Sequence, residues 1–115
     1  MLMRIEKKVM EPDITVLEFS GKITLTAERY DMEKMVDDLV RQNRRKFIFD
    51  LAGVEYIDSS GMGSIVQCFT KVKQAGGGFR VAGLQDRVRQ LFKITRMDQI
   101  IPFYPTVPAA AESPW

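Results

Sequence analysis

Apolar positions along the chain change period several times, and each change marks an element. Met3 to Val9 alternates imperfectly and predicts a first strand. Glu11-Pro12-Asp13 carries turn chemistry. Ile14, Val16, Leu17 and Phe19 then predict a second strand, bounded by Ser20-Gly21. The short connection predicts an antiparallel hairpin. Beyond Gly21-Lys22-Ile23-Thr24 a helix is expected, with Thr24 or Thr26 as its cap and Glu28 in its first turn. Met32, Met35, Val36, Leu39 and Val40 follow as one apolar stripe of that helix. On its wet side Lys34 with Asp38, and Asp37 with Arg41, stand at the spacing of ion pairs.

Phe47-Ile48-Phe49-Asp50-Leu51 is the strongest strand signal in the chain. It is apolar on both faces, which suits the middle of a parallel sheet covered by helices. Downstream, Met62, Ile65, Val66, Phe69 and Val72 recur at helical spacing and stop at Ala75-Gly76-Gly77-Gly78. That glycine run follows a helix and precedes a strand, the reverse of a phosphate loop. Phe79-Arg80-Val81-Ala82 predicts the next parallel strand. Leu84, Val88, Leu91 and Phe92 form the inner face of a further helix, while Arg87, Arg89, Lys93 and Arg96 point outward. Ile100-Ile101-Pro102-Phe103 predicts a short edge strand, because proline cannot donate to a ladder. The succession predicts one α/β domain over residues 1–104. Its mixed sheet opens with an antiparallel hairpin, continues with parallel strands, and carries its helices mainly on one face. Residues 105–115, rich in Pro, Ala and Ser, read as a loosely ordered C-terminal tail.

Composition narrows the chemistry. A chain of 115 residues buries about two-thirds of its unfolded surface, enough for a core without staples. The net charge of +2 is too small to imply nucleic acid. Arg44-Arg45-Lys46 fits a solvated helix C-terminus, where cations complement the dipole, better than a nucleic-acid patch. There is no histidine, which removes Ser-His-Asp and Cys-His catalysis and the commonest metal ligand. No metal cluster or spaced carboxylate pair stands out, so neither a cofactor nor an enzyme is expected. Cys68 is the single cysteine; it falls within a helical pattern and reads as a structural thiol in a reducing cytoplasm. No apolar run approaches the roughly 20 residues of a membrane span. The cations and carboxylate of Arg4, Glu6, Lys7 and Lys8 argue against a signal peptide.

The stretch Ile57-Asp58-Ser59-Ser60-Gly61-Met62-Gly63-Ser64 joins the strongest strand to the following helix. Asp and Ser suit a helix cap, and small residues leave backbone and hydroxyls open to an approaching group. A helix N-terminus also favours an anion.

Asp58-Ser59-Ser60-Gly61-Met62-Gly63, behind Val54-Glu55-Tyr56-Ile57, resembles the Asp-Ser-Ser/Thr-Gly-Leu-Gly segment of anti-sigma factor antagonists, small proteins of the STAS-domain family. Val88-Arg89-Gln90-Leu91-Phe92 and Thr95-Arg96-Met97 add to the likeness, which covers roughly residues 3 to 104 in element order. The resemblance implies a STAS-like fold and phosphorylation at Ser59, the serine directly after the aspartate. It implies a protein partner, an anti-sigma factor that is also a serine kinase, bound when the serine is unmodified and released on phosphorylation. It further implies a PP2C-type phosphatase and a cytoplasmic bacterial setting. The implied partner surface comprises Lys22, Ile23, Thr24, Asp58, Ser59, Ser60, Gly61, Met62 and Gly63. One departure stands out. The family's Gly-Glu-Leu-Asp-like motif is here Gly21-Lys22-Ile23-Thr24, so both acidic positions are lost. The other reading is a STAS accessory subunit of a transporter or larger signalling assembly, in which the same loop docks without phospho-switching.

Overall fold

The computed structural model describes residues 3–24 and 28–115, and for residues 28–30 the backbone alone. The expected cap Thr26 lies outside the described residues; Thr24, within them, has non-helical backbone. The elements are β1 (Arg4–Met10), β2 (Ile14–Ile23), α1 (Glu28–Arg41), β3 (Lys46–Ile57), α2 (Ser59–Gln74), β4 (Gly78–Ala82), α3 (Asp86–Ile94), a 3-10 turn at Met97–Gln99, β5 (Phe103–Tyr104) and α4 (Val107–Glu112).

The five strands lie in the sheet in chain order. β1 and β2 form the antiparallel hairpin, with Arg4 opposite Ser20 and Met10 opposite Ile14. All later pairings are parallel. Strand alternation sorts the side chains into two layers. Leu17, Phe19, Phe47, Phe49, Leu51, Phe79 and Val81 face α1, α2 and α3 and form the main core. Phe49 is central there, with ring centroids 4.7 Å from Phe19 and 4.5 Å from Phe79. The opposite face carries Ile14, Val16, Ile48 and Ala82, which pack with Ala110 of α4.

Four stretches differ from the sequence reading. β3 continues six residues past Leu51 to Ile57. Its pairing with β4 ends at Asp50, but it stays hydrogen-bonded to β2, bringing Val54 beside Gly21 and Ile57 beside Ile23. The exposed Ala52, Gly53, Glu55 and Tyr56 mark where neighbouring elements cease to cover the strand. β2 is likewise longer, so Lys22 and Ile23 belong to a strand.

Residues 105–115, expected as a loose tail, dock on the back of the sheet. Thr106 accepts a hydrogen bond from Ala109 N (3.2 Å) and starts α4. Arg80, almost wholly buried in β4, donates through its guanidinium to the carbonyls of Ala110, Ser113 (2.8 Å) and Pro114. Trp115 lies over that guanidinium, 3.8 Å from ring centre to Cζ. A Cβ at Gly78 would come within 2.7 Å of the same indole, so a larger residue there would push Trp115 aside.

The cations Arg44-Arg45-Lys46 are half-buried and structural rather than solvated. Arg45 donates to Val40 O in the last turn of α1 (2.9 Å), Arg44 to Thr15 (2.7 Å), and Lys46 pairs with Asp13 (3.2 Å). On α1, Asp37 meets Arg41 at 3.0 Å as expected. Among the described residues Asp38 faces Arg41 (4.0 Å) rather than Lys34.

Candidate functional site

β3 delivers the chain to the top of the sheet at Ile57, and α2 begins two residues later. Asp58 is the residue between. Its backbone is extended, and its carboxylate accepts from Gly61 N at 2.7 Å. That bond satisfies one of the amides that a helix start leaves open, which makes Asp58 the cap and Ser59 the first helical residue. Asp58 N donates to Ile23 O (3.2 Å), tying the corner to the end of β2. Gly61 presses its backbone against the same carbonyl, and a Cβ there would overlap the Ile23 oxygen. The loop is thereby held from both sides, by a cap within it and by β2 beneath it.

This arrangement leaves Ser59 exposed and Ser60 half-buried. Among the described residues none accepts a hydrogen bond from Ser59. The side chain faces solvent, and a charge added there would sit at the positive end of α2.

All nine residues of the expected partner surface come together at this corner, but they are not equally accessible. Lys22, Ser59 and Gly63 are exposed, and Thr24, Asp58 and Ser60 are half-buried. Ile23, Gly61 and Met62 are buried. Ile23 points into the core beneath the loop, and Met62 is the first apolar residue of the inner face of α2. These three shape the corner without offering side-chain surface to a partner.

Behind the corner, Ser64 is buried and donates to Glu33 of α1 (3.0 Å), joining the two helices. Cys68, one turn further, is fully buried; burial, with the Glu33 carboxylate second, pushes its thiol up from the ordinary range. A thiol so placed stays protonated and unreactive, consistent with a structural role.

The sequence reading missed what stands beside Ser59. A groove of about 480 Å³ runs between the corner and α3, lined among others by Tyr56, Ser59, Arg87, Leu91 and Ile94. Arg87 also faces a neighbouring groove with Lys22, Glu55 and Tyr56. Ile94 is 78% exposed and Tyr56 44%. A signal was present in Ile94, an apolar residue off the stripe of Leu84, Val88, Leu91 and Phe92. Among the described residues no helix is long and apolar enough to cross a membrane.

Comparison with known proteins agrees with the fold read from the element order. Residues 6–110 match the STAS domain family model. The anti-sigma-B factor antagonist of Bacillus subtilis is 35% identical over 101 residues, 88% of this chain and 90% of that protein. The crystal structure of a Thermotoga maritima protein superposes with a TM-score of 0.86 at 25% identity, covering 94% of this chain and 92% of that one. The Bacillus cell fate determinant SpoIIAA, solved in its phosphorylated form, shares the fold with a TM-score of 0.74 at 14% identity, over 95% and 97% of the two chains. With all but a few residues at each end inside the matched region, the chain belongs to the STAS-domain family.

Proposed function

We propose that this protein is a cytoplasmic, phospho-switched anti-sigma factor antagonist. Unmodified, it binds an anti-sigma factor that is also a serine kinase, through the corner around Ser59. Phosphorylation of Ser59 ends that complex, and a phosphatase of the PP2C type restores it. The observation that carries this reading is the exposed Ser59 at the first position of α2, presented by the Asp58 cap in a chain of this family.

The physics of the switch is local. A phosphate adds about −1.5 to −2 charges at neutral pH. The N-terminus of α2 accommodates that charge, with a dipole contribution of about 0.3–1 kcal/mol. Packing the same dianion against a partner costs more, because its water is lost and the partner's carboxylates repel it. The fold therefore persists while the complex fails.

The test is incubation with the cognate kinase and ATP, read by intact mass and fragmentation. One phosphate on Ser59, and none on Ser59→Ala, is the expected result. Because Asp58 supplies the cap, Ser59→Ala leaves the melting temperature nearly unchanged and holds the protein in its binding state. Phosphate on Ser60, or on Ser59→Ala at wild-type stoichiometry, rejects the assignment. Lys22 and Thr24, standing where the family carries acids, favour a second reading, an accessory subunit that docks by this corner without modification. Absence of phosphate on any residue, with stable binding to a larger complex, would select it.

A further inference from the structure

Single exposed apolar side chains are ordinary on protein surfaces. Tyr56 and Ile94 differ in that they line one groove, with Leu91 half-buried beside them and Ser59 on the same lining. The charges around this groove are unequal in their commitments. Asp58 is engaged by the amide of Gly61. Glu55 lies in the adjoining groove, where it faces two cations, Lys22 and Arg87. Asp86 is the remaining carboxylate on α3, against exposed Arg87, Arg89 and Lys93. Among the described residues none of these three cations, nor Lys22, forms an ion pair. An apolar wall with an uncommitted guanidinium at its rim matches a segment that has a large apolar side chain next to a carboxylate.

We propose that the groove between the β3–α2 corner and α3 seats such an acidic, apolar-anchored segment of the protein partner. Tyr56, Leu91 and Ile94 hold its apolar residue, and Arg87 meets its carboxylate. This inference rests on the reading of Ser59 given above and deepens it: a phosphate on Ser59 stands on the lining of the same groove and takes Arg87 from the partner. The switch then acts by substitution of one anion for another at a single guanidinium, as well as by repulsion.

The experiment needs neither kinase nor natural partner. Isotope-labelled protein is titrated with the peptide Ac-Asp-Glu-Leu-Phe-Glu-NH2 and with Ac-Lys-Lys-Leu-Phe-Lys-NH2, and backbone amide shifts are followed by NMR. Saturable shifts at Tyr56, Ser59 and Arg87–Ile94 are expected with the acidic peptide, with affinity about tenfold above the basic one. Arg87→Glu and Ile94→Asp, both solvent-exposed sites, should each weaken the acidic peptide about tenfold. Arg89→Glu, which changes charge equally but lines a different groove beside Phe103 and Tyr104, should leave it within about twofold. Phosphoserine installed at position 59 during translation should weaken it as Arg87→Glu does. Equal binding of both peptides, shifts confined to another surface, or an Arg87→Glu protein that binds normally would overturn the docking groove. Full binding by the phosphoserine protein would overturn the competition for Arg87. Failure of the kinase reaction on Ser59 would remove the proposed switch and leave the peptide result untouched, so the two readings fail separately.

Discussion

Arg80 and Arg87 stand on either side of the β4–α3 connection, and their surroundings could hardly differ more. Arg80 lies behind the sheet, nearly out of water, with its guanidinium spent on three carbonyls of the C-terminal segment and covered by Trp115. Arg87 lies in front, in water, between two grooves, with no ion pair among the described residues. A buried donor that satisfies several acceptors is costly to remove, because each acceptor is then left without water or partner. A solvated cation contributes little to folding. The sheet thus separates an arginine that holds the chain together from one that is free to meet another molecule.

The largest effect should come from the back. Arg80→Ala is expected to cost about 2–4 kcal/mol, since hydrogen bonds from a charged group contribute about 1.5–3 kcal/mol and the orphaned carbonyls lie against the sheet. Chemical denaturation would measure it. Limited proteolysis should also begin to cut residues 105–115. A loss well under 1 kcal/mol would mean that α4 is held by Ala110 and its apolar neighbours alone. Next comes Gly61→Ala, which drives a methyl group into the Ile23 carbonyl; a cost of about 1–3 kcal/mol is expected from such overpacking. Its signature is displacement of α2 from β2, visible as shifted amides at both Ile23 and Ser59. Asp58→Ala should cost about 1 kcal/mol, the usual value of a lost cap, with amide exchange faster in the first turn of α2 than in its last. Arg87→Gln should change stability by less than about 0.5 kcal/mol, as exposed substitutions do, so any loss of partner binding can be assigned to contact. If Arg87→Gln instead melts early, the contrast between the two arginines collapses.

The fold was largely legible because its strongest signals are local. The hairpin turn, the stripe from Met32 to Val40 and the run Phe47–Leu51 each fix an element by period and composition. The Asp-Ser-Ser-Gly corner was legible as a helix start for the same reason. What escaped was decided by distant neighbours. The extension of β3 through Gly53 depends on β2 lying alongside. The docking of α4 depends on Arg80, some thirty positions earlier in the chain. Yet Thr106 as cap, Pro108 in the first turn and three alanines form a helix start that could have been read. Arg87 was seen as outward, but only the folded chain brings it beside Ser59. The burial of Ile23, Gly61 and Met62 also follows from tertiary packing, since motif membership says nothing about which residues lie underneath.

The bond from Asp58 N to Ile23 O, with Gly61 set against that same carbonyl, joins the end of β2 to the start of α2 by backbone alone. Neither contact involves the side chain of Lys22, which points into solvent one position earlier. The charge at position 22 can therefore be changed without shifting Ser59. The charge offered at this surface and the placing of Ser59 are thus set by different atoms.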